Sequence, residues 1–289
     1  MFKTILLSSF LVLGIIAAFA GMVALWQNFT DQRQIEEINW AISTQRDPAQ
    51  GIYDPNMVTH LPDAVQRYFN FMISPGARLS TISRIEMRGQ FGLGDVSTHN
   101  YYPFTATQYN APPTNFTWSL KTYDTLMAMN GSDAVWNGES WTKFWLLGVF
   151  PVARAGGDED YLRSGIGRMV VEMAAWAPVS LLPQFGITWE ELSPDLIRAS
   201  VTSHGFTQTV DIKIDENGAP LEFVLPRWSN ANPSQTFVLQ PFGGYAHDYV
   251  TVDGITIVSD VEAGNFFGTS DYFAFFKAQV TKVEYDLSQ

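Results

Sequence analysis

Residues 209–225 read TVDIKIDENGAPLEFVL, and this stretch has the pattern of two short strands joined by a turn. On the first strand Val210, Ile212 and Ile214 alternate with polar residues, as expected when one face of a strand is buried and the other is wet. The segment DENG at 215–218 follows, and Asn-Gly is typical of a hairpin because both residues tolerate positive φ. The stretch therefore predicts an antiparallel hairpin.

The same two-residue alternation occurs on both sides of this hairpin. It is present at residues 85–93, at 116–121 and around a second tight turn, Asp253-Gly254. Alternating runs separated by tight turns are typical of antiparallel sheets, because parallel strands need long crossover connections. We therefore predict a mainly β fold built on an antiparallel sheet.

Two segments depart from this alternation and have the 3.6-residue period of a helix. The first begins near Pro62 and ends near Met72. The second runs from Asp158 to about Ala177, and its apolar residues form one broad stripe: Leu162, Ile166, Met169, Val170, Met173 and Trp176. A helix with so broad an apolar face, placed among antiparallel strands, is expected to cover a sheet. The predicted fold (mainly β, α+β) is a curved antiparallel sheet or half-barrel with helices packed on its concave face, and the seam between them is the expected place for an apolar pocket.

The N-terminal segment is apolar enough to cross a membrane. Residues 5–26 carry no charged side chain, and as a helix they would be about 33 Å long. The segment is either an uncleaved transmembrane anchor or a signal peptide, since Ala18-Phe19-Ala20 has the small residues of a cleavage site. Trp26, an interfacial residue type, favours the anchor. In both cases we expect the rest of the chain to lie outside the cytoplasm, in the periplasm of a bacterial cell.

These patterns divide the chain into three parts. Residues 1–30 form the membrane anchor or signal segment, residues 31–58 an amphipathic stalk and linker, and residues 59–289 a single antiparallel β-rich domain. The stalk is expected to be helical because three apolar residues recur at helical spacing: Ile35, Ile38 and Ile42.

The chain beyond residue 30 is acidic. It has 16 basic against 29 acidic residues, a net formal charge of −13. Because such a surface repels phosphate, nucleic-acid binding is not expected. The chain has no cysteine, and its four histidines are scattered without the spacing of metal ligands. We therefore predict no metal and no cofactor, while an apolar ligand fits the composition and the sequence identifies no protein partner.

Two residues are candidates for catalysis. Glu172 falls at the margin of the apolar stripe of the second helix. It either pairs with Arg168, four residues earlier, or borders a pocket where burial would raise its pKa and let it act as an acid. His247, followed by Asp248, is the second candidate.

Four other residues are candidates for ligand binding: Trp118, Met173, Trp176 and Trp189. Large apolar side chains of this kind either line a lipid-sized cavity or belong to the core. The sequence leaves both interpretations open for each of them.

A set of short motifs occurs in a fixed order along the chain: LPDAVQRY at 61–68, PFTA at 103–106, PP at 112–113 before FTW at 116–118, LLG at 146–148, PVA at 151–153, Glu172 with WAP at 176–178 and LLP at 181–183, and DGITI at 253–257. As an ordered set these motifs resemble an uncharacterised bacterial and archaeal family, a domain of unknown function whose members often begin with one membrane-spanning segment. The resemblance covers about residues 59–287 and implies the extent of the domain, but the family has no established activity. By fold analogy, the predicted sheet and helices look like the half-barrels of LolA-type lipoprotein carriers.

Three functions are compatible with these observations. The favoured one is a membrane-tethered extracytoplasmic module that binds a lipid or other apolar ligand on the concave side of the sheet. The second is a hydrolase-like enzyme that uses Glu172 or His247, which would require these groups to lie in a cleft. The third is a structural envelope protein without a small ligand, which would have a filled core.

The anchor interpretation makes a direct prediction. We expect the protein to remain in the membrane fraction after washing with high salt and with carbonate, because a spanning helix is held by the hydrophobic effect rather than by charge. The measurement is immunoblotting of the washed membranes together with the mass of the mature chain. A mature chain that begins at Gly21 would contradict the anchor and establish a cleaved signal peptide.

Overall fold

The computed structural model describes residues 2–123, 128–285 and 287, with side chains from residue 9 onward. Residues 1, 124–127, 286, 288 and 289 of the segments predicted above lie outside the described residues.

Thirteen strands within the described residues form one continuous antiparallel sheet. The strands are β1 Ser83–Gly94, β2 His99–Ala111, β3 Asn115–Thr122, β4 Met129–Trp136, β5 Glu139–Leu146, β6 Phe150–Gly156, β7 Thr188–Ser193, β8 Leu196–Ser203, β9 Phe206–Ile214, β10 Pro220–Ser229, β11 Val238–Val252, β12 Ile255–Asn265 and β13 Phe273–Tyr285. Their spatial order is β6-β5-β4-β3-β2-β1-β13-β12-β11-β10-β9-β8-β7. The sheet is thus a meander in which β1 pairs with β13, and β6 and β7 are the edge strands.

The hairpin predicted at residues 209–225 is present as β9 and β10. In its turn the Asp215 carboxylate accepts hydrogen bonds from the backbone N–H groups of Asn217 and Ala219, both at 2.8 Å. Gly218 has φ of 93°, and a Cβ atom there would lie 2.2 Å from the carbonyl oxygen of Arg67. Only glycine fits this position, because the turn packs closely against the helix that contains Arg67.

In the described part of the chain three α-helices accompany the sheet: α1 Phe2–Thr44, α2 Asp63–Met72 and α3 Glu159–Trp176. α3 begins at Asp158, whose side chain accepts a hydrogen bond from the backbone N–H of Tyr161. It lies on the concave face of the sheet, against β9 and β10 on one side and β4 to β6 on the other. The Tyr68 hydroxyl of α2 donates to the Ala174 carbonyl of α3 at 2.9 Å and joins the two helices. The predicted fold class, a mainly β curved antiparallel sheet with helices on its concave face, is confirmed.

α1 is a single unbroken helix. Its N-terminal part contains an 18-residue window with a mean hydropathy of 2.3, none of it buried. Within the described residues this is the helix long and apolar enough to cross a membrane, as an anchor or as a signal sequence. Large side chains on this part, such as Phe19 and Trp26, are exposed.

The second half of α1 packs on the convex face of the sheet. Its apolar stripe is buried in a small core of its own, formed by Ile35, Ile38, Ile42, Ile82, Ala111, Ala134 and Trp141. Strand alternation separates the two faces: Phe116 and Trp118 of β3 belong to the core on the concave side, whereas Thr117 between them hydrogen-bonds Asn39 of α1. The segment expected as a stalk therefore lies against the sheet.

Asp31 fixes α1 to the sheet electrostatically. Trp145 donates a hydrogen bond to its carboxylate at 3.0 Å, Arg154 pairs with it, and the Lys143 ammonium lies 3.4 Å away. Burial raises the pKa of Asp31, but the hydrogen bonds from Arg154 and Trp145 and the nearby positive charges outweigh it, so the pKa lies below its usual value. The contact is therefore fully formed at neutral pH and is lost as the pH falls through this lowered pKa.

The docked half of α1 yields a test with a matched control on the same helix. Ile42→Ala should lower the free energy of unfolding by about 2–5 kcal/mol, because it leaves a cavity in a fully buried site. Trp40→Ala, two residues away with 70% of the side chain exposed, should change it by about 0.5 kcal/mol or less. Denaturant unfolding of the full chain in detergent micelles measures both. Equal effects of the two substitutions would show that this part of α1 is not docked.

Candidate functional site

A cavity of about 560 Å³ lies between α3 and the concave face of the sheet. Its size falls within the range of small-molecule binding sites, roughly 300–1,000 Å³. The wall is mainly apolar, and its large members include Phe91, Trp118, Phe144, Trp176, Phe275 and Phe276. The seam predicted to hold an apolar pocket therefore does hold one.

Phe276 of β13 lies at the centre of the aromatic wall. Its ring stacks on Phe104 at 5.6 Å between centroids and meets Trp118 and Trp176 edge-on at 6.0 and 6.4 Å. Offset and edge-to-face contacts of this kind are the favourable arrangements for aromatic pairs. The wall is thus preformed by side chains that hold one another in place.

α3 presents two different stripes to the interior. One stripe is packed into the core against β9 and β10: Ile166, Met169, Val170, Met173 and Ala174. The opposite stripe lines the cavity: Tyr161, Ser164, Arg168, Val171, Glu172 and Ala175. Each set recurs at intervals of three and four residues, so the two lie on opposite sides of the helix. One side of α3 therefore holds the fold together while the other borders the cavity.

Arg168 is the centre of a buried polar cluster on the cavity wall. Its Nε donates to Glu172 at 2.7 Å, another of its N–H groups donates to Asp133, and the guanidinium lies 4.8 Å from the Trp118 ring centroid. Burial lowers the pKa of Arg168, but the two carboxylates outweigh it and hold the pKa above its usual value. Arg168 is therefore a fixed cation whose charge is already matched.

The acceptors around this cluster are only partly satisfied. Gln108, fully buried, donates through Nε2 to Glu172 at 2.8 Å and to Asn110 at 2.9 Å. Its own Oε1 and the Oδ1 of Asp133 are buried with no hydrogen-bond partner among the described residues. Buried polar atoms without partners are rare in native proteins, so a bound water or ligand atom is a natural partner for these two acceptors.

Arg227 is a second cation on the wall and is partly buried, and no described neighbour in contact matches its charge. Its Nε donates to the Ser164 carbonyl at 3.3 Å, and its guanidinium lies 5.0 Å from the Phe242 ring centroid. No described carboxylate forms a salt bridge with it. Burial, together with the charge of Arg168, lowers the pKa of Arg227 to about 10, so it still carries its proton at neutral pH. Its remaining N–H groups are available to an acceptor in the cavity.

Some of the candidate residues predicted from the sequence line the cavity, and others lie outside it. Trp118 and Trp176 line the cavity, and so does Glu172. Met173 does not, because it lies on the packed stripe of α3. Trp189 is also outside the cavity: it packs on Tyr68 and Phe69 and donates to the Leu181 carbonyl.

His247 and Glu172 are not brought together. His247 is exposed on β11, its ring stacks on Tyr245 at 6.4 Å, and it does not line the cavity. Glu172 is held by Arg168 and Gln108 instead. No group of three or more metal-ligating side chains is found in the part of the chain that the structure describes.

Sequence reasoning missed Arg227 and Asp133, although a signal for both was present. The strand pattern Phe223, Leu225 continues by two residues to Arg227, so strict alternation already places this arginine on the buried face. Asp133 is likewise two residues from the buried Val135 on β4. A charged residue in phase with an apolar strand face is the pattern that identifies both.

Residues 51–278 of this chain match a family of unknown function, DUF6544. The chain belongs to this family. The resemblance to an uncharacterised domain of unknown function is thereby confirmed, and no curated protein matches the chain.

The DUF6544 chain is similar to solved structures of two other groups. One is a DUF1329 family protein from Desulfovibrio piger, with 9% identity and a TM-score of 0.40 over 78% of this chain and 91% of that chain. Another is a LolA superfamily protein from Nitrosomonas europaea, with 8% identity and a TM-score of 0.40 over 77% of this chain and 91% of that chain. At these levels of identity and superposition, the likenesses carry no information about a ligand.

The buried cluster gives a test of its charge pairing. Arg168→Met should lower the free energy of unfolding by about 3–5 kcal/mol, since it leaves two buried carboxylates without their counter-ion. The matched control is Arg33→Met. Arg33 also forms an i, i+4 pair, with Glu37, but both side chains of that pair are about two-thirds exposed. This substitution should cost about 0.5 kcal/mol or less. Denaturant unfolding compares the two, and an equal loss would show that the cluster is solvated.

Proposed function

We propose that this DUF6544 protein is a membrane-tethered extracytoplasmic module that binds a lipid or other apolar ligand. The observation that supports the proposal is the cavity of about 560 Å³ beside α3, with its preformed aromatic wall. A cavity in a soluble domain that is apolar and open to entry is a natural site for an apolar molecule, because filling it removes apolar surface from water.

The energetics favour a ligand with a long chain. Burying one methylene group contributes about 0.8 kcal/mol, so ten contribute about 8 kcal/mol. Association costs roughly 4–15 kcal/mol in lost translational and rotational freedom and in ordering. A short chain would therefore bind weakly, whereas a full acyl chain or two chains would bind stably.

The polar end of the ligand is proposed to contact Arg227. This guanidinium borders the cavity and has N–H groups without an acceptor among the described residues. A carboxylate, a phosphodiester or an ester carbonyl supplies the missing acceptor. Because Glu172 and Asp133 also act on Arg227 electrostatically, a head with at most one negative charge fits better than a multiply charged one.

α1 is proposed to be the tether. In this proposal residues 1–30 anchor the chain, residues 31–58 connect the anchor while lying on the convex face, and residues 59–289 form the ligand-binding domain outside the cytoplasm. The continuity of α1 supports an uncleaved anchor, since cleavage after Ala20 would remove the first half of a single helix whose second half is docked. Export after cleavage near Ala20 is the alternative.

A hydrolase is not favoured by the same geometry. The Glu172 carboxylate is engaged by Arg168 and Gln108, and the exposed His247 lies away from the cavity. A general acid or base needs a free position within hydrogen-bond reach of a bound substrate.

The proposal is tested by filling the cavity. Ala153 of β6 lines it, whereas Thr207 of β9 is exposed on the opposite face of the sheet and does not. Ala153→Trp should reduce the apolar ligand that copurifies with the protein by more than half, because its indole occupies the space of the ligand. Thr207→Trp should leave the ligand content unchanged. Native mass spectrometry and solvent extraction of the full chain, purified in detergent, measure the ligand content.

Lipid that merely surrounds α1 contributes equally to the two variants, so their difference reports on the cavity alone. Equal ligand content in the wild type and both variants, or a wild type free of ligand, would contradict the proposal.

A further inference from the structure

β5 and the docked part of α1 run side by side in opposite directions. Three contacts align them in reverse order: Lys143 with Gln34 at 2.8 Å, Trp145 with Asp31 at 3.0 Å, and Gly148 with Asn28 at 2.9 Å. As β5 advances towards its C-terminal end, its partners on α1 thus move towards the apolar N-terminal half. The turn between β5 and β6 therefore points along α1 in the direction of the apolar segment.

The depth of this turn follows from helix geometry. The apolar segment ends at Trp26, and Asn28 lies two residues further, about 3 Å along the helix axis. The headgroup region on each side of a bilayer is roughly 5–7 Å thick, which is half the difference between the thickness of the full membrane and that of the hydrocarbon core. When residues 5–26 span the membrane, the Asn28–Gly148 contact therefore lies at the level of the headgroups.

The side chains at this turn suit that depth. Leu147, Phe150 and Val152 are 50%, 58% and 52% exposed. They surround the contact with Asn28, and the exposed Phe29 follows it on α1. In water such a cluster is unfavourable, whereas at a membrane interface it buries apolar area.

We propose that the tip of the β5–β6 hairpin, residues 146–152, inserts its apolar side chains into the membrane leaflet that α1 enters on the side of the domain. A bilayer rather than a second copy of the chain is the occupant, because the cluster lies beside Asn28, within one helical turn of the end of the apolar segment at Trp26, and at headgroup depth. The domain is then held at two points and cannot rotate freely about its tether.

This orientation also determines which end of the cavity faces the membrane. Leu146 and Val152 belong to the hairpin tip and also line the cavity, as does Met129 at the start of the neighbouring β4. Asn130, the next residue on β4, donates to Asn28 at 3.0 Å, which places this end of β4 at the same level. The end of the cavity bordered by these strands therefore faces the leaflet. The membrane contact itself does not depend on the ligand proposed above.

The charge of the domain determines which kind of membrane binding is expected. Beyond residue 30 the chain has 29 acidic residues against 16 basic ones, so it has no general attraction for anionic lipid. Insertion of the tip is driven by apolar burial and should be the same in neutral and in anionic membranes.

The absence of cysteine from the chain allows a direct test with single labelled sites. Leu147→Cys and Phe150→Cys place an environment-sensitive fluorophore (NBD) on the tip of the full chain, reconstituted in phosphatidylcholine nanodiscs. The control is Glu139→Cys, exposed at the other end of β5 and about 25 Å further along the strand. Lipids with a spin label near the headgroup quench fluorophores that contact the interface.

We expect a blue-shifted emission and several-fold stronger quenching at positions 147 and 150 than at position 139, unchanged when anionic lipid is added. Equal quenching at the three positions would overturn the proposal. A blue shift without quenching by lipid would also overturn it and would assign the surface to a second copy of the chain. The contact rests on the membrane anchor of the proposed function but not on its ligand. Since ligand content is measured separately on the Ala153→Trp and Thr207→Trp variants, failure of this contact and failure of ligand binding are distinguishable.

Discussion

The packing of α3 against the concave face of the sheet is the contact on which the rest of the structure depends. A single sheet of thirteen strands exposes two faces, and an apolar face must be covered to be stable in water. α3 covers only part of the concave face, because its packed stripe meets β9 and β10 while its opposite side borders the cavity and makes fewer contacts with β4 to β6. The cavity is the space on the concave face that α3 does not fill.

The second constraint is that α1 and α3 lie on opposite faces of the same strands. Phe144 and Trp145 are consecutive on β5, yet the first lines the cavity and the second donates to Asp31 on α1. Side chains alternate across a strand, so this arrangement needs no special backbone geometry. As a consequence, α1 and the cavity are connected through a few strands, and under the proposed function the anchor would orient the domain as well as attach it.

The cavity is not purely apolar, because charged residues also line its wall. Arg168 is compensated by two carboxylates, whereas Arg227 is partly buried without an ion pair in the described chain. Burying a charge is costly unless it is paired and hydrogen-bonded. Under the proposed function, a ligand that brings an oxygen acceptor to Arg227 would relieve this cost, with apolar burial providing the affinity and the arginine selecting one orientation.

Local patterns determined the elements of this protein, and tertiary packing determined its site. Alternation, tight turns and helical periodicity were sufficient to predict an antiparallel sheet, the helix from Asp158 to Ala177 and its place on the concave face, because each pattern depends on neighbours a few residues apart. The same patterns cannot tell whether Trp118 or Trp189 borders a cavity, since both are large, apolar and in phase with a buried face. That distinction, the pairing of Asp133 with Arg168, and the position of α1 on the convex face depend on residues far apart in the chain that only the folded sheet brings together.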